Sequence, residues 1–360
     1  MKESNKKNGM IHNVRQAVLV TVVLLLLCGF IFPVLLSGLS ALIFPHQANG
    51  SLVTADGTVV GAKNVGQEFT EDYFMWGRPS AYHYNTYYEE DTDGDGQVEQ
   101  YYNDGTEFAG LGSGSNNYAP SNPALITRVE SSIISYLTQT LAVTEDLPEN
   151  AFAALPGAKD AVEAQIACVA ESAGISSEEL ETRVFSTYTL LSAAGLAAET
   201  VDDTSAEGIA AAAGITVDEL YESAAASVSV DDICQAANIS EEQTASIEVP
   251  TLYELQKSYV AEAAGLPLEE VDNMVEAIPT DLMTASGSGL DPHISPASAE
   301  LQVSRIAEAS GLNEEQVRAI IAENTQGKWL GVFGEETVNV LGVNLDIAQA
   351  MGLVSETAHS

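Results

Sequence analysis

No Asp, Glu, Lys or Arg occurs between Arg15 and Asp56, and inside that gap runs an apolar stretch from Ala17 to Phe44. At ~1.5 Å per residue a helix of this length reaches roughly 40 Å, more than the ~30 Å hydrocarbon core of a bilayer. The pattern predicts one transmembrane helix over 16–44. A cleaved signal peptide would have a shorter apolar region, about 7–15 residues, ending in small residues, and no A-x-A follows this run. A lipoprotein signal would use Cys28, but Leu27 stands before it where a small residue is needed. Gly29 and Pro33 are candidate bends, and Ser37 with Ala41 forms a small-xxx-small pair that lets another helix approach.

Charge gives the span a direction. Of the 13 Lys and Arg residues, Lys2, Lys6, Lys7 and Arg15 lie in the first fifteen positions, with Glu3 the one acid among them. The remaining residues hold 9 basic and 51 acidic groups, a charge of −42. The positive-inside bias then predicts a cytoplasmic tail (1–15) and an extracytoplasmic remainder. So acidic a chain, −39 in all, excludes nucleic acid and anionic lipid surfaces as ligands, since both require basic surface. Charged residues make up 18% of the chain and apolar ones 46%, which is enough apolar material for packed cores.

Beyond the span, short strands and turns are expected over 50–85, including GTVVG, GQEF and YFMWGRPSAYHYN. Residues 86–110 turn to Tyr, Asp, Gly and Glu, the composition of an exposed loop or an added hairpin. Within it DTDGDGQVE sets Asp91, Asp93, Asp95 and Glu99 at the first, third, fifth and ninth places of an EF-hand-type loop, with Gly96 sixth. Carboxylates at alternate positions converge on one hard cation, so calcium is a candidate ligand. Tyr102 stands where the bidentate Glu is normally found, and a solvated acidic turn is the competing reading.

Residues 121–143 carry apolar residues at helical spacing, at Leu125, Val129, Ile133, Ile134 and Leu137. The segment 141–277 is rich in Ala and Glu and contributes −24 on its own. It repeats one phrase, as in AESAGISSEELE, AAAGITVDELYE, QAANISEEQ and AEAAGLPLEEVD, and AEASGLNEEQVR follows at 307–318. In four of the five, an alanine-rich helix ends at a left-handed Gly (174, 214, 265, 311), and a new helix starts with acids in its first turn. The uneven spacing favours a helical bundle over a solenoid. Cys168 and Cys234 lack C-x-x-C spacing, leaving one disulfide or two free thiols open.

From 278 to 360 an α+β pattern returns. Ser295-Pro296 starts a helix, Asn313 with Gln316 forms a capping box, and WLGVF and ETVNVLGVNL read as two strands. The unusual SGSGLDPHIS invites a triad of Ser288, Asp291 and His293. Three catalytic groups this close in sequence argue against it, and Ala285 replaces the first Gly of a nucleophile elbow. A Gly-rich turn whose Ser and Asp side chains bind backbone amides accounts for the same residues. No Walker A, dinucleotide fingerprint or D-K-T-G sequence occurs.

FPHQANGSL, GQEF, GRPSA, GSGSNN with SNPAL, TASGSGLDPHISPASAELQVSRIA and VNVLGVNL, in this order after one basic-flanked span, resemble the C chain of the bacterial Kdp-type potassium-transporting ATPase. The resemblance covers roughly 10–85, 110–140 and 278–350; the DTDGDG loop and the acidic block depart from it, and Met75 is an extra residue before Trp76. It implies a non-catalytic subunit beside a channel-like potassium-translocating subunit and a P-type ATPase subunit. The family is described as a catalytic chaperone raising ATP affinity, with ATP bound by the C chain, yet no residue here matches a nucleotide site. Gly77, Arg78, Pro79 and Ser80, with Ser286, Ser288, Asp291, His293 and Ser295, are the residues expected to form structural corners or docking surface. Since one helix cannot conduct ions, transport falls to other chains.

The expected fold is α+β: a single N-terminal transmembrane helix, then an extracytoplasmic α+β domain (45–140 and 278–360) with an inserted all-α segment (141–277). A membrane-anchored, calcium-binding surface protein is the alternative function.

Overall fold

The computed structural model describes residues 2–90, 98–102, 107–115, 117–142, 147, 150–244, 246–328 and 330–358. They fall into two compact units, Met1–Asn117 with Ala285–Ser360, and Tyr118–Thr284.

The first unit begins with a helical run, His12–Ile43, that has no buried residue and is long and apolar enough to cross a membrane. Its interruption is a π turn, Leu27–Ile31, closed by the Phe32 N–H on the Leu27 carbonyl. Pro33 has no N–H to give the Gly29 carbonyl, and the wider turn absorbs the misfit. Strands β1 (Leu52–Ala55) and β2 (Thr58–Ala62) then form a hairpin. Its turn residues Asp56 and Gly57 both have positive φ (49° and 77°), the conformation Asp-Gly favours in two-residue hairpins. A second hairpin joins β3 (Tyr88–Glu90) to β4 (Glu99–Tyr101). Strands β5 (His293–Ile294), β6 (Thr325–Gln326) and β7 (Thr337–Asn339) make an antiparallel sheet in the order β5-β7-β6, and β8 (Thr357–Ala358) pairs with the free side of β1.

Three sequence expectations fail in this unit. ETVNVLGVNL is not a strand beyond Asn339: Val340–Ala350 is a helix, started by the Asn339 side chain accepting from the Gly342 N–H at 2.9 Å. Val340 to Leu345 are all buried, so burial alternates with neither period and the cap decides the outcome. The described residues of WLGVF, 330–333, form no strand either; Leu330, Val332 and Phe333 are exposed. GQEF and YFMWG also join no ladder. Met75 and Trp76 are instead clamped by side chains. Asn344 Oδ1 accepts from Met75 N at 2.6 Å and its Nδ2 donates to Met75 O at 2.9 Å. Gln302 does the same for Trp76, at 2.8 and 3.1 Å. Arg305 completes the clamp: it donates to Phe74 O (3.0 Å), to Asp72 O and to Gln302 Oε1 (2.7 Å), with its guanidinium over the Trp76 ring. The extra residue Met75 is fully buried among Ile294, Val303, Ile306 and Val338.

The described residues of the second unit are helical, with no strand among them. Its corners follow the repeated phrase. Gly174, Gly214 and Gly265 adopt φ of 69°, 73° and 66°, and Ile175, Ile215 and Leu266 return their N–H to Ala170, Ala210 and Ala261. Asn238 (φ 58°) and Gly195 (φ 66°) close two further corners in the same way. Ser176, Thr216, Ser229 and Thr251 cap the helices that follow. Glu219 and Asp232 reach back to these caps, and those hydrogen bonds hold both carboxyls below their ordinary range. Part of the acidity of this segment therefore serves helix initiation. Val169, Leu180, Ile209, Leu220 and Ile233 form its fully buried core. Cys28, Cys168 and Cys234 are free thiols.

Candidate functional site

SGSGLDPHIS is a hub in the first unit. Five successive carbonyls, Ser288 to Pro292, each accept from a different part of the chain. Ser288 O takes Gly114 N–H (2.7 Å) and the Ser113 hydroxyl (3.1 Å). Gly289 O takes the Ser80 hydroxyl at 2.7 Å, and Leu290 O takes Gly66 N–H at 2.9 Å. Asp291 O lies 3.4 Å from the Tyr84 hydroxyl, and Pro292 O takes Val340 N–H at 3.0 Å. The side chains of the same stretch face its own backbone: Ser286 accepts from Gly289 N–H, Ser288 from Leu290 N–H and Asp291 from His293 N–H, at 2.9, 3.2 and 3.0 Å. Ser295 caps Pro296–Glu300 by accepting from Ser298 N–H. Close packing explains the glycines. A Cβ on Gly289 would stand 2.6 Å from Gly114 O, and one on Gly66 would meet the Tyr84 ring.

GRPSA supplies the other wall. Arg78 pairs with Asp291 at 3.3 Å, and its carbonyl accepts from the Tyr84 hydroxyl at 2.8 Å. Gly77 leaves room for that hydroxyl, and Pro79, half-buried, sits between Arg78 and Ser80. The Ser80 oxygen also accepts from the N–H groups of Tyr82 and Tyr84, both at 3.2 Å. This holds a turn in which His83, Tyr84 and Asn85 all have positive φ (45°, 54°, 59°), a conformation costly for side-chain-bearing residues and sustained only by surrounding contacts. Asn85 anchors it by exchanging two hydrogen bonds with the backbone of Gly112, at 2.8 and 3.0 Å. Nothing in AYHYN beyond an Asn, which tolerates left-handed backbone, signals this turn in the sequence.

The electrostatics are those of a closed structure. Burial, with the Asp291 charge next, raises the Tyr84 phenol far above its ordinary range. The His293 hydrogen bonds, helped by Arg78 and opposed by partial burial, lower the Asp291 carboxyl. A depressed aspartate stabilises the fold above its unfolded pKa, about 3.9, and the contribution is lost as pH falls through the lower folded value. His293→Ala is therefore expected to be less stable than the parent at pH 7, with the gap narrowing below about pH 4. Urea titrations across pH 2–7 read this directly; a gap that stays constant with pH would reject the coupling.

The triad is absent as a working arrangement. His293 turns Nδ1 toward Asp291 (3.4 Å), while the Ser288 hydroxyl lies against Leu290 N–H and 3.4 Å from the Ser286 hydroxyl. Of the calcium candidates, Asp91, Asp93 and Asp95 lie outside the described residues, and Glu99 sits in β4 opposite Glu90. Among the described residues no group of three or more His, Cys, Asp or Glu could hold a metal ion. ATP does not fit the two clefts at the hub, because a triphosphate needs clustered cations or convergent backbone N–H groups. A cleft of about 520 Å3 beside His293 offers Lys63 against Glu323 and Asp346, and one of about 470 Å3 beside Tyr84 has Glu68 and no Lys or Arg.

Comparison with known proteins agrees with the motifs gathered at this hub. The family model described as K+-transporting ATPase, c chain (KdpC) matches residues 14–202 and 223–349. A potassium-transporting ATPase KdpC subunit from Clostridium kluyveri is 32% identical over 343 residues, covering 95% of this chain and 96% of its own. One from Clostridioides difficile is 29% identical over 94% of this chain and 98% of its own. A Staphylococcus aureus KdpC subunit 2 is 39% identical over 120 residues, 33% of this chain and 57% of its own. The alternative of a calcium-binding surface protein finds no support in these relatives. With the family model covering most of its length and a full-length relative above 30% identity, the chain belongs to the KdpC family of potassium-transporting ATPase subunits.

Proposed function

We propose that this chain is a non-catalytic, single-pass subunit of the Kdp potassium pump, with its N-terminus in the cytoplasm and the residues beyond about 45 outside. Its partners in this reading are the channel-like potassium-translocating subunit and the P-type ATPase subunit. The observation that carries the proposal is the hub: five consecutive carbonyls and the flanking Ser and Asp side chains are committed to internal hydrogen bonds. Groups held this way shape a surface; they do not turn over a substrate. GRPSA and SGSGLDPHIS therefore act as a rigid corner that presents docking surface at the external mouth of the channel subunit. The basic residues before the span support the sidedness. The family's chaperone effect on ATP affinity then passes through protein contacts, and the helical unit is a part added to the extracytoplasmic domain.

Arg78→Ala and His293→Ala, expressed with the other subunits, are expected to lower the yield of intact complex and growth at limiting potassium. Complete assembly and undiminished transport in both variants would sink the corner as a docking element. Protease added to intact cells should remove the chain beyond about residue 45 and spare an N-terminal tag; loss of the tag instead would reverse the sidedness.

A further inference from the structure

The helical unit contains a cleft of about 480 Å3 to which no part of the pump's chemistry is assigned. It lies between Ser177–Val184, Thr187–Ala193 and Val230–Ala236, within the range of about 300–1,000 Å3 usual for small-ligand sites. We propose that this cleft binds a neutral sugar, one or two pyranose rings long, independently of the potassium pathway.

Three features of the lining select that class. Tyr188 stands at the edge with 82% of its surface exposed, although its helix buries Leu190 and Leu191 on the other side. An exposed aromatic face at the edge of a cleft is a platform for the C–H face of a pyranose ring. Beside it, the Gln235 amide and the Ser192 hydroxyl make no hydrogen bond among the described residues, so both donors and acceptors stand ready. Asp232 spends Oδ2 on the N–H and hydroxyl of Ser229 (2.9 and 2.6 Å), which leaves Oδ1 to accept. Sugar hydroxyls both donate and accept, and a mixed set of amide, hydroxyl and carboxylate matches them.

Charge removes the competing classes. Arg183 is fixed to Glu179 (2.5 Å) and to Ala236 O (3.1 Å), and within the lining its charge offsets that of Asp232. The surrounding segment carries −24, which repels nucleotides, phosphate polymers and acidic glycans.

The test is ligand-observed saturation-transfer NMR on the full chain in mild detergent, with maltose and N,N′-diacetylchitobiose as probes. Transfer to the ring protons of either disaccharide is expected. Tyr188→Ala should weaken that binding about tenfold and Gln235→Ala about threefold, whereas Tyr188→Phe, which keeps the ring, should stay within about twofold. Both positions are exposed, and circular dichroism checks that the variants fold. No transfer from either sugar, parent-like affinity in both alanine variants, or equal loss in Tyr188→Phe and Tyr188→Ala would each overturn the proposal. Because the pump is not assayed, none of these results bears on the potassium role.

Discussion

Replacing Asn344 by alanine is expected to cost the first unit about 2–6 kcal/mol of unfolding free energy, the sum of two stranded buried groups. Asn344 is 1% exposed, and its single amide satisfies both the N–H and the carbonyl of Met75, which is itself fully buried. The truncation leaves both groups in a dry core with no strand to pair them. Each such group costs about 1–3 kcal/mol, more than the surface substitutions that make up most variants. Urea unfolding at fixed detergent concentration measures the loss as a lower midpoint with an unchanged slope. A loss below about 1 kcal/mol would mean that Met75 finds other partners and that the clamp is incidental. Because Gln302 holds the next residue, Trp76, the double variant is expected to lose less than the sum of the single losses.

That clamp also marks the limit of what the sequence discloses. The span, the left-handed glycine corners and the Asn313–Gln316 capping box are written in neighbouring residues, and the chain folds them where they are written. Asn238 substitutes for glycine in one corner because a short amide side chain tolerates the same backbone. Local pattern fails where the partner is remote. Asn344 bonds across 269 positions and Gln302 across 226, so no window of sequence shows that YFMWG is held by amides and not by a ladder. The helix Val340–Ala350 is misread for a related reason: buried on nearly every side, it loses the periodicity that separates helix from strand. At the hub, GRPSA and SGSGLDPHIS are recognisable separately, but their meeting through Arg78–Asp291 and Ser80–Gly289 is tertiary information. Gly112–Asn85 and the turn His83–Asn85 carry no readable signal beyond the tolerance of Asn85 for left-handed backbone.

Two glycines two positions apart make the sharpest test of the hub. Gly289→Ala is expected to destabilise the first unit by about 2–4 kcal/mol, whereas Gly287→Ala should stay within about 0.5 kcal/mol. Gly289 has φ +67°, where a side chain is already strained, and its Cβ would stand 2.6 Å from the Gly114 carbonyl. That carbonyl cannot retreat cheaply, because Gly114 N–H is bound to Ser288 O at 2.7 Å in the same contact. Moving it would also disturb Ser80, whose hydroxyl bonds Gly289 O and whose oxygen holds the strained turn at Tyr82 and Tyr84. Gly287 has nothing within 4 Å of its Cβ position and no positive φ. Composition and motif membership are the same for both residues, so a difference between them isolates the geometry. Thermal unfolding and the yield of co-purified pump should fall together for Gly289→Ala and hold for Gly287→Ala. Equal behaviour of the two variants would mean that the loops meeting at Gly289 can part without loss. In that case the stretch would owe its distinctive sequence to contacts with a partner subunit and not to the corner it forms within this chain.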